Sequence, residues 1–308
     1  MLLLKLISIR LFRAALTMFI VLIIAFVTLR LSGTPFDMMY PEGLTDEQLD
    51  ALQAKHGLDK PWLQQFWLYI SEMFRGNFGS SLYTSEPVWK MYADRMPYTL
   101  TLGALALFLA ILIGIPIGAL SALYRTSFGA RSGMGLAFLG YAVPHFVIGI
   151  SLILFFGYYL RILPTTGLST AKHYILPAVT LAIPIIAAIA RFMRAAMLDG
   201  IGENHVSTAV SKGLSDGETA RTHIFRNALI PLTTVLGLEV AGIMNGSIFV
   251  EAVFALPGVG RILVDSVTGR DYPVLQFGLI AYALIVVILN FIIDIVYVIL
   301  DPRIRLET

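Results

Sequence analysis

The chain has 308 residues, of which 57% are hydrophobic and only 14% are charged, with a net charge of +2. Soluble domains carry roughly 25% charged residues, so this chain has too little charge to cover a soluble surface. The composition therefore indicates an integral membrane protein. The absence of cysteine excludes disulfides, thiolate metal sites and cysteine nucleophiles.

Several apolar stretches are long enough to cross a bilayer as helices, which takes about 20 largely apolar residues. In chain order they cover residues 14–29, 96–124, 132–160, 173–190, 227–250 and 272–300. Glu239 interrupts the fifth stretch and Asp294 the sixth. Glu239 either lines a polar pathway or bonds a neighbouring helix, whereas Asp294 suits a structural partner of an arginine. The sequence therefore predicts an all-α integral membrane protein with six transmembrane helices. Helices packed by small residues make Gly114, Gly118, Gly140 and Gly149 candidate points of close contact.

The distribution of charge predicts how the chain is oriented and divided. An even number of spans places both termini on one side, and basic residues are enriched in cytoplasmic segments. With both termini in the cytoplasm, basic residues clearly outnumber acidic ones in the inner segments. We expect a first transmembrane helix within residues 1–31, an external helical cap at 32–97 and a core membrane domain at 98–308. Within the cap, helices are expected at 45–55, capped by Thr45 with Gln48 three residues on, and at 61–74, with Pro61 in the first turn.

Motifs of the common enzyme classes are missing from the sequence. No lysine is followed by serine or threonine, so the chain has no phosphate-binding loop of the ATPase type. The five histidines never fall at metal-ligand spacing. His145 follows Pro144 inside a span, where contact with a neighbouring helix is favoured over contact with a substrate. The sequence predicts a non-catalytic chain without a metal site.

Residues 203–231, which we call the polar loop, are too polar for lipid and read as two helices joined by a turn. Asn204 is expected to cap the first helix, which ends at Gly213, where a positive φ has no steric cost. Its apolar face is predicted to consist of Val206, Ala209 and Val210.

The second helix of the polar loop has its own start signal. Ser215 and Glu218 form the S-x-x-E pattern of a capping box. An apolar face then runs through Ala220, Ile224 and Ala228 into the fifth span. Such a pair of helices suits the groove of a partner protein, but it equally suits the surface of anionic lipid.

The choice between these two interpretations depends on a resemblance. The polar loop contains Thr208-Ala209-Val210-Ser211-Lys212-Gly213-Leu214-Ser215, followed by Arg226-Asn227-Ala228-Leu229-Ile230-Pro231. This pattern resembles the cytoplasmic signature loop of binding-protein-dependent ABC importer permeases. Five further stretches resemble the dipeptide, oligopeptide and nickel permeases of that group: 57–61, 76–82, 250–265, 270–274 and 294–305. The resemblance covers nearly the whole chain.

The resemblance implies a type I ABC importer permease in the inner membrane of a bacterium. Its implied partners are a second homologous permease, two cytoplasmic ATPase subunits, an external (periplasmic) substrate-binding protein and membrane lipid, with no nucleic acid. ATP and Mg²⁺ would be bound by the ATPases, and this chain would bind no cofactor. The implied ATPase-docking residues are Glu203, His205, Ala209, Lys212, Gly213, Leu214 and Arg221.

The cargo path and the cargo are less closely defined by the sequence. Glu239, Pro257 and Gly258 are candidates for the pathway or a gate, although a simple outer turn is favoured for residues 255–261. Di- or oligopeptides are the expected cargo, with nickel or oligosaccharides as alternatives within the same family. An alternative of another class is a secondary transporter driven by an ion gradient through Glu239 and Asp294.

Overall fold

The computed structural model describes residues 2–40, 42–55 and 57–300. The helices of this part of the chain are α1 (Leu2–Leu31), α2 (Phe36–Met39), α3 (Asp46–Lys55), α4 (Trp62–Phe74), α5 (Val88–Leu123), α6 (Phe128–Ala142), α7 (His145–Leu152), α8 (Ile175–Ile201), α9 (Asn204–Ser211), α10 (Asp216–Thr219), α11 (Arg226–Val253), α12 (Val259–Thr268) and α13 (Tyr272–Leu300). Two π-helical turns, Ile153–Tyr159 and Ala220–Phe225, extend α7 and join α10 to α11.

Five helical stretches within the described residues are long and apolar enough to cross a membrane. They are Phe12–Leu31, Val88–Leu123, Ala171–Ile201, Asp216–Val253 and Tyr272–Ile292. A sixth candidate is the pair formed by α6 and the segment His145–Tyr159, which are bent by 108° relative to each other. Six spans were predicted, and the described residues contain six candidates if the bent pair counts as one span.

The break in the third span corrects the prediction of one helix over residues 132–160. α6 ends at Ala142, and the next residue, Val143, is extended with φ −88° and ψ 128°. The cause is Pro144, whose ring disfavours the helical conformation of the preceding residue and which has no N–H to donate. A new helix then begins at His145.

The chain forms two compact units, and the first comprises residues 1–97 and 258–287. Its small core contains Val88, Tyr92 and Val274, and the Tyr92 hydroxyl donates to the Val274 carbonyl at 3.0 Å. The buried Asp271 carboxylate accepts hydrogen bonds from the Ser81 hydroxyl at 2.5 Å and from a backbone N–H at 3.2 Å. These bonds join the segment before α5 to the start of α13.

Both helices expected in residues 32–97 are present in this first unit. Thr45 and Gln48 exchange the predicted capping bonds, at 3.1 and 3.4 Å, at the start of α3. Pro61 occupies the N-cap of α4 rather than its first turn. α12, also in this unit, was not predicted, because residues 255–261 were expected to form a simple turn.

The second unit comprises residues 98–257 and 288–308, and α8 lies at its centre. Four glycines were proposed as points of close helix contact: Gly114, Gly118, Gly140 and Gly149. The structure confirms all four, because a Cβ at each would lie within 3.1 Å of an atom of another segment. At Gly118 that atom is the backbone oxygen of Ala190 on α8, at 2.5 Å. Small residues therefore allow α5, α6 and α7 to pack closely in this unit.

Candidate functional site

The first helix of the polar loop starts one residue earlier than expected. Glu203 occupies the N-cap with ψ 146°, and Asn204 is the first residue of α9, so the prediction that Asn204 caps this helix is wrong. The Glu203 carbonyl accepts from the N–H groups of Val206 and Ser207 at 3.0 and 3.4 Å. Asn204 is already inside the helix, where its backbone carbonyl accepts from the Thr208 hydroxyl at 2.9 Å.

The turn after α9 has the geometry that glycine makes possible. Gly213 has φ +84°, in the left-handed region. The N–H of Leu214 donates to the Ala209 carbonyl at 3.3 Å, and the N–H of Gly213 donates to the Val210 carbonyl at 2.9 Å. This pair of bonds is a Schellman motif, which satisfies the last carbonyls of a helix and fixes the direction of the following chain.

The second helix of the polar loop begins with the predicted capping box. The Glu218 N–H donates to the Ser215 hydroxyl at 3.4 Å, and the Ser215 N–H donates to the Glu218 carboxylate at 3.1 Å. From Asp216 the chain remains helical, through a π-helical turn, to Val253. The second helix of the polar loop is therefore the beginning of the fifth span.

The polar loop packs on the core of the second unit through its apolar residues. Val206, Ile224 and Ala228 are buried in the same hydrophobic cluster as Met197 of α8. The predicted face over Ala220, Ile224 and Ala228 is confirmed. The predicted apolar face of α9 is confirmed only in part, because Val210 is 51% exposed. The loop is therefore a pair of helices packed on the core of this unit.

The structure places the predicted docking residues in three environments. Glu203, Lys212, Gly213 and Arg221 are exposed, and Leu214 is half-buried. Ala209 is buried, so its side chain is not accessible to a partner. The side chain of His205 lies outside the described part of the structure. Lys212 and Gly213 thus form an accessible turn after α9, next to the exposed Val210, whereas Glu203 lies at the other end of α9 and Arg221 in the following π-helical turn.

The candidate pathway residues are not brought together by the structure. Glu239 is half-buried on α11, and its carboxyl group interacts electrostatically with Arg191 of α8. Pro257 lies beyond the end of α11, about 20 Å from Glu239 along the helix axis. Gly258 is the N-cap of α12. The side chain of Asp294, the second acid of the ion-coupled alternative, lies outside the described residues.

The segment around Pro257 is held by backbone bonds rather than left as a free loop. Ala255 has φ +52°, and the N–H of Leu256 donates to the Glu251 carbonyl at 2.9 Å. The Phe254 carbonyl accepts from Gly167 at 2.9 Å, which fixes the end of α11 to the loop before α8. A left-handed alanine costs roughly 1–2 kcal/mol, so the surrounding contacts must maintain this turn.

Two further polar side chains, Glu251 and His145, lie within the membrane-spanning part of the second unit. Glu251 is only 1% exposed, near Tyr174, and was missed because the fifth span was predicted to end at residue 250. The His145 ring lies against α11, since a Cβ at Gly246 would be 3.1 Å from its Nε2. That position agrees with the favoured interpretation of His145 as a helix contact. Among the described residues, no three His, Asp or Glu side chains are grouped as a metal site.

Comparison with known proteins agrees with this architecture. The family model "Binding-protein-dependent transport system inner membrane component" matches residues 114–306, and a model for the N-terminal part of such components matches residues 3–103. The dipeptide transport system permease protein DppB of Lactococcus lactis subsp. cremoris is 38% identical over 295 residues, covering 94% of this chain and 96% of the relative. The glutathione transport system permease protein GsiC of Escherichia coli K12 is 37% identical over 290 residues, covering 94% and 95%.

Solved structures show a similar fold at low sequence identity. An inward-facing MetNI methionine ABC transporter aligns with a TM-score of 0.61 and 19% identity, covering 71% of this chain and 100% of the matched chain. An amino acid ABC transporter aligns with a TM-score of 0.55 and 19% identity, covering 68% and 93%. Since the family model covers more than half of the chain and the relatives cover nearly all of it, this protein belongs to the family of binding-protein-dependent transport system inner membrane components.

Proposed function

We propose that this chain is a translocation subunit for small peptides in an ATP-driven importer. The cargo is inferred from DppB and GsiC, whose names specify a dipeptide and glutathione, itself a small peptide. Family membership favours an ATP-driven importer over the ion-coupled alternative. Nickel and oligosaccharides remain as alternative cargoes to be tested.

One structural observation carries the mechanistic part of the proposal: the polar loop is continuous with the fifth span and packed on α8. A partner bound at the exposed Gly213 turn would move the helical stretch that begins at Asp216 and continues to Val253. The proposed partners at this turn are two cytoplasmic ATPase subunits, which bind ATP and Mg²⁺. This chain then supplies no catalytic group and converts their movement into a change of helix packing.

The remaining partners and the orientation are part of the same proposal. Both termini and the polar loop lie in the cytoplasm, as the excess of basic residues in those segments favours. A second, homologous permease completes the transport path. An external binding protein delivers cargo at the opposite face, where Pro257 and Gly258 are the gate candidates.

The cargo is tested by ATP hydrolysis in the reconstituted complex with its own binding protein. A dipeptide or glutathione should raise the rate of ATP hydrolysis above that with ligand-free binding protein. Nickel or an oligosaccharide, supplied in the same way, should leave the rate unchanged. Stimulation by nickel alone would contradict the peptide assignment. Uptake driven by an ion gradient without ATP would contradict the ATP-driven mechanism itself.

A further inference from the structure

Helix α4, in the first unit, buries a polar side chain and exposes apolar ones, the reverse of a helix on the surface of a soluble protein. Its one buried residue is Gln65, which is 6% exposed. Leu63, Trp67 and Phe74 are instead 70%, 61% and 82% exposed. Their spacing of i, i+4 and i+11 places these three side chains on one stripe of the helix. A helix in water would bury this stripe and expose Gln65.

The buried Gln65 is fully used in binding the helix to its surroundings. Its amide nitrogen donates to the carbonyls of Leu58 and Lys60 at 3.0 and 2.8 Å. Its amide oxygen accepts from Nε of Arg30, at the end of α1, at 2.7 Å. The orientation of α4 is therefore fixed, and the exposed apolar stripe is a consequence of that orientation.

Aromatic contacts place α4 beside the membrane-spanning part of α1. The Phe66 ring lies with its centroid 5.2 Å from that of Phe26 and 6.5 Å from that of Phe19, both edge-to-face. With a rise of about 1.5 Å per residue, Phe26 lies roughly 8 Å, and Phe19 roughly 18 Å, before the end of α1 at Leu31. Half of the hydrocarbon core is about 15 Å thick. Phe66 is thus at the depth of one leaflet.

The span beside α4 itself exposes apolar side chains. On α1, Phe19, Ile20 and Ile24 are exposed, and a transmembrane helix presents such side chains to lipid. Charged groups on and around α4 suit the headgroup region, because Glu72 pairs with Arg75 at 2.9 Å at the end of the helix. Tryptophan, present here as Trp62 and Trp67, is enriched at the membrane interface.

We propose that α4 is an amphipathic membrane helix, embedded in the leaflet on the side of residues 32–97. The stripe of Leu63, Trp67 and Phe74 contacts acyl chains, and Glu72, about 180° around the helix from Leu63, faces water and headgroups. The expected external cap is then anchored in lipid rather than standing free above the bilayer. The anchor fixes the outer end of α1 through the Arg30–Gln65 bond.

The test uses the cysteine-free chain of 308 residues in lipid nanodiscs, with one spin label at a time. Labels are placed at Leu63→Cys and Phe74→Cys, with Glu72→Cys as the matched control on the opposite side of the same helix. Accessibility to oxygen, which concentrates in lipid, is compared with accessibility to the water-soluble complex nickel–EDDA. Labels at 63 and 74 should favour oxygen, and the label at 72 should favour nickel–EDDA.

The same measurement distinguishes lipid from a protein partner. Equal nickel–EDDA accessibility at 63 and 72 would overturn the proposal, because the stripe would then face water. If the label at 63 lost nickel–EDDA accessibility only after the binding protein was added, or lost oxygen accessibility on assembly with the other subunits, the stripe would be a protein interface and the proposal would also fail. Two labelled positions on the stripe guard against a single variant that does not fold. The readout is independent of ATPase docking and cargo.

Discussion

The substitution Gly213→Asp should leave the protein in the membrane but reduce ATP-driven uptake about tenfold or more. Gly213 is exposed at φ +84°, and an added Cβ would meet nothing within 4 Å. Aspartate is among the few residues that tolerate this backbone conformation, so folding should lose only about 1 kcal/mol. An unpaired carboxylate buried in an interface costs several kcal/mol, and each 1.4 kcal/mol is tenfold in affinity. Co-purification of the ATPase subunits measures the docking loss directly.

Two controls separate charge at the docking surface from other effects of the Gly213→Asp change. Gly213→Asn has the same shape and a similar tolerance for positive φ, so it should retain much more docking than the aspartate. Gly217→Asp adds the same charge four residues later, where a Cβ also meets nothing within 4 Å. It lies in the first turn of a helix, where a carboxylate is favourable. Normal assembly of Gly213→Asp would contradict the docking assignment.

The substitution Gly118→Ala should destabilise the second unit by about 3 kcal/mol, the upper end for an overpacked core. The new methyl group would lie 2.5 Å from the backbone oxygen of Ala190 and 2.7 Å from the Cβ of Met193. Neither atom can move without shifting α8, because one is backbone and the other is attached directly to it. The melting temperature of the purified protein is the measurement, and we expect it to fall by several degrees.

Gly135→Ala is the matched control for the Gly118 substitution. Gly135 also lies in a helix, α6, but an added Cβ there meets nothing within 4 Å. Alanine is a better helix former than glycine by about 0.5–1 kcal/mol, so this variant should melt at the same or a higher temperature. Equal melting temperatures for Gly118→Ala and the unchanged protein would show that α5 and α8 are not packed as closely as described.

Features set by local chemistry could be predicted from the sequence. The Ser215–Glu218 capping box and the end of α9 at Gly213 depend on residues within one turn of each other, and both are confirmed. The glycine contacts could be proposed because close helix packing in a membrane favours small residues. The N-cap of α9 was misplaced by one residue, since Asn204 has a better capping side chain than Glu203 but the backbone ends its extended conformation at Glu203.

Features set by tertiary contacts could not be predicted. The bend at Pro144 is different, because it has a local cause: the span was predicted from the apolar run alone, which continues on both sides of the proline, and the proline signal was not used. The reversed polarity of α4 depends on Arg30, which is 35 residues away from Gln65 in the sequence. Val210 looked like part of a buried face by spacing, yet only Val206 and Ala209 are buried. For the docking residues, the sequence supplied candidates and the structure added which of them are accessible.

Site-directed crosslinking tests most directly whether the exposed Gly213 turn contacts an ATPase subunit in the cytoplasm. The chain has no cysteine of its own, so Lys212→Cys introduces a single reactive thiol on the exposed turn. Ser169→Cys, in the exposed loop before α8, serves as the control, since the proposed orientation places it outside. A short thiol–amine crosslinker in the assembled complex should join position 212, and not position 169, to an ATPase subunit. An ATPase crosslink from position 169, or none from position 212 in a complex that hydrolyses ATP, would contradict the account.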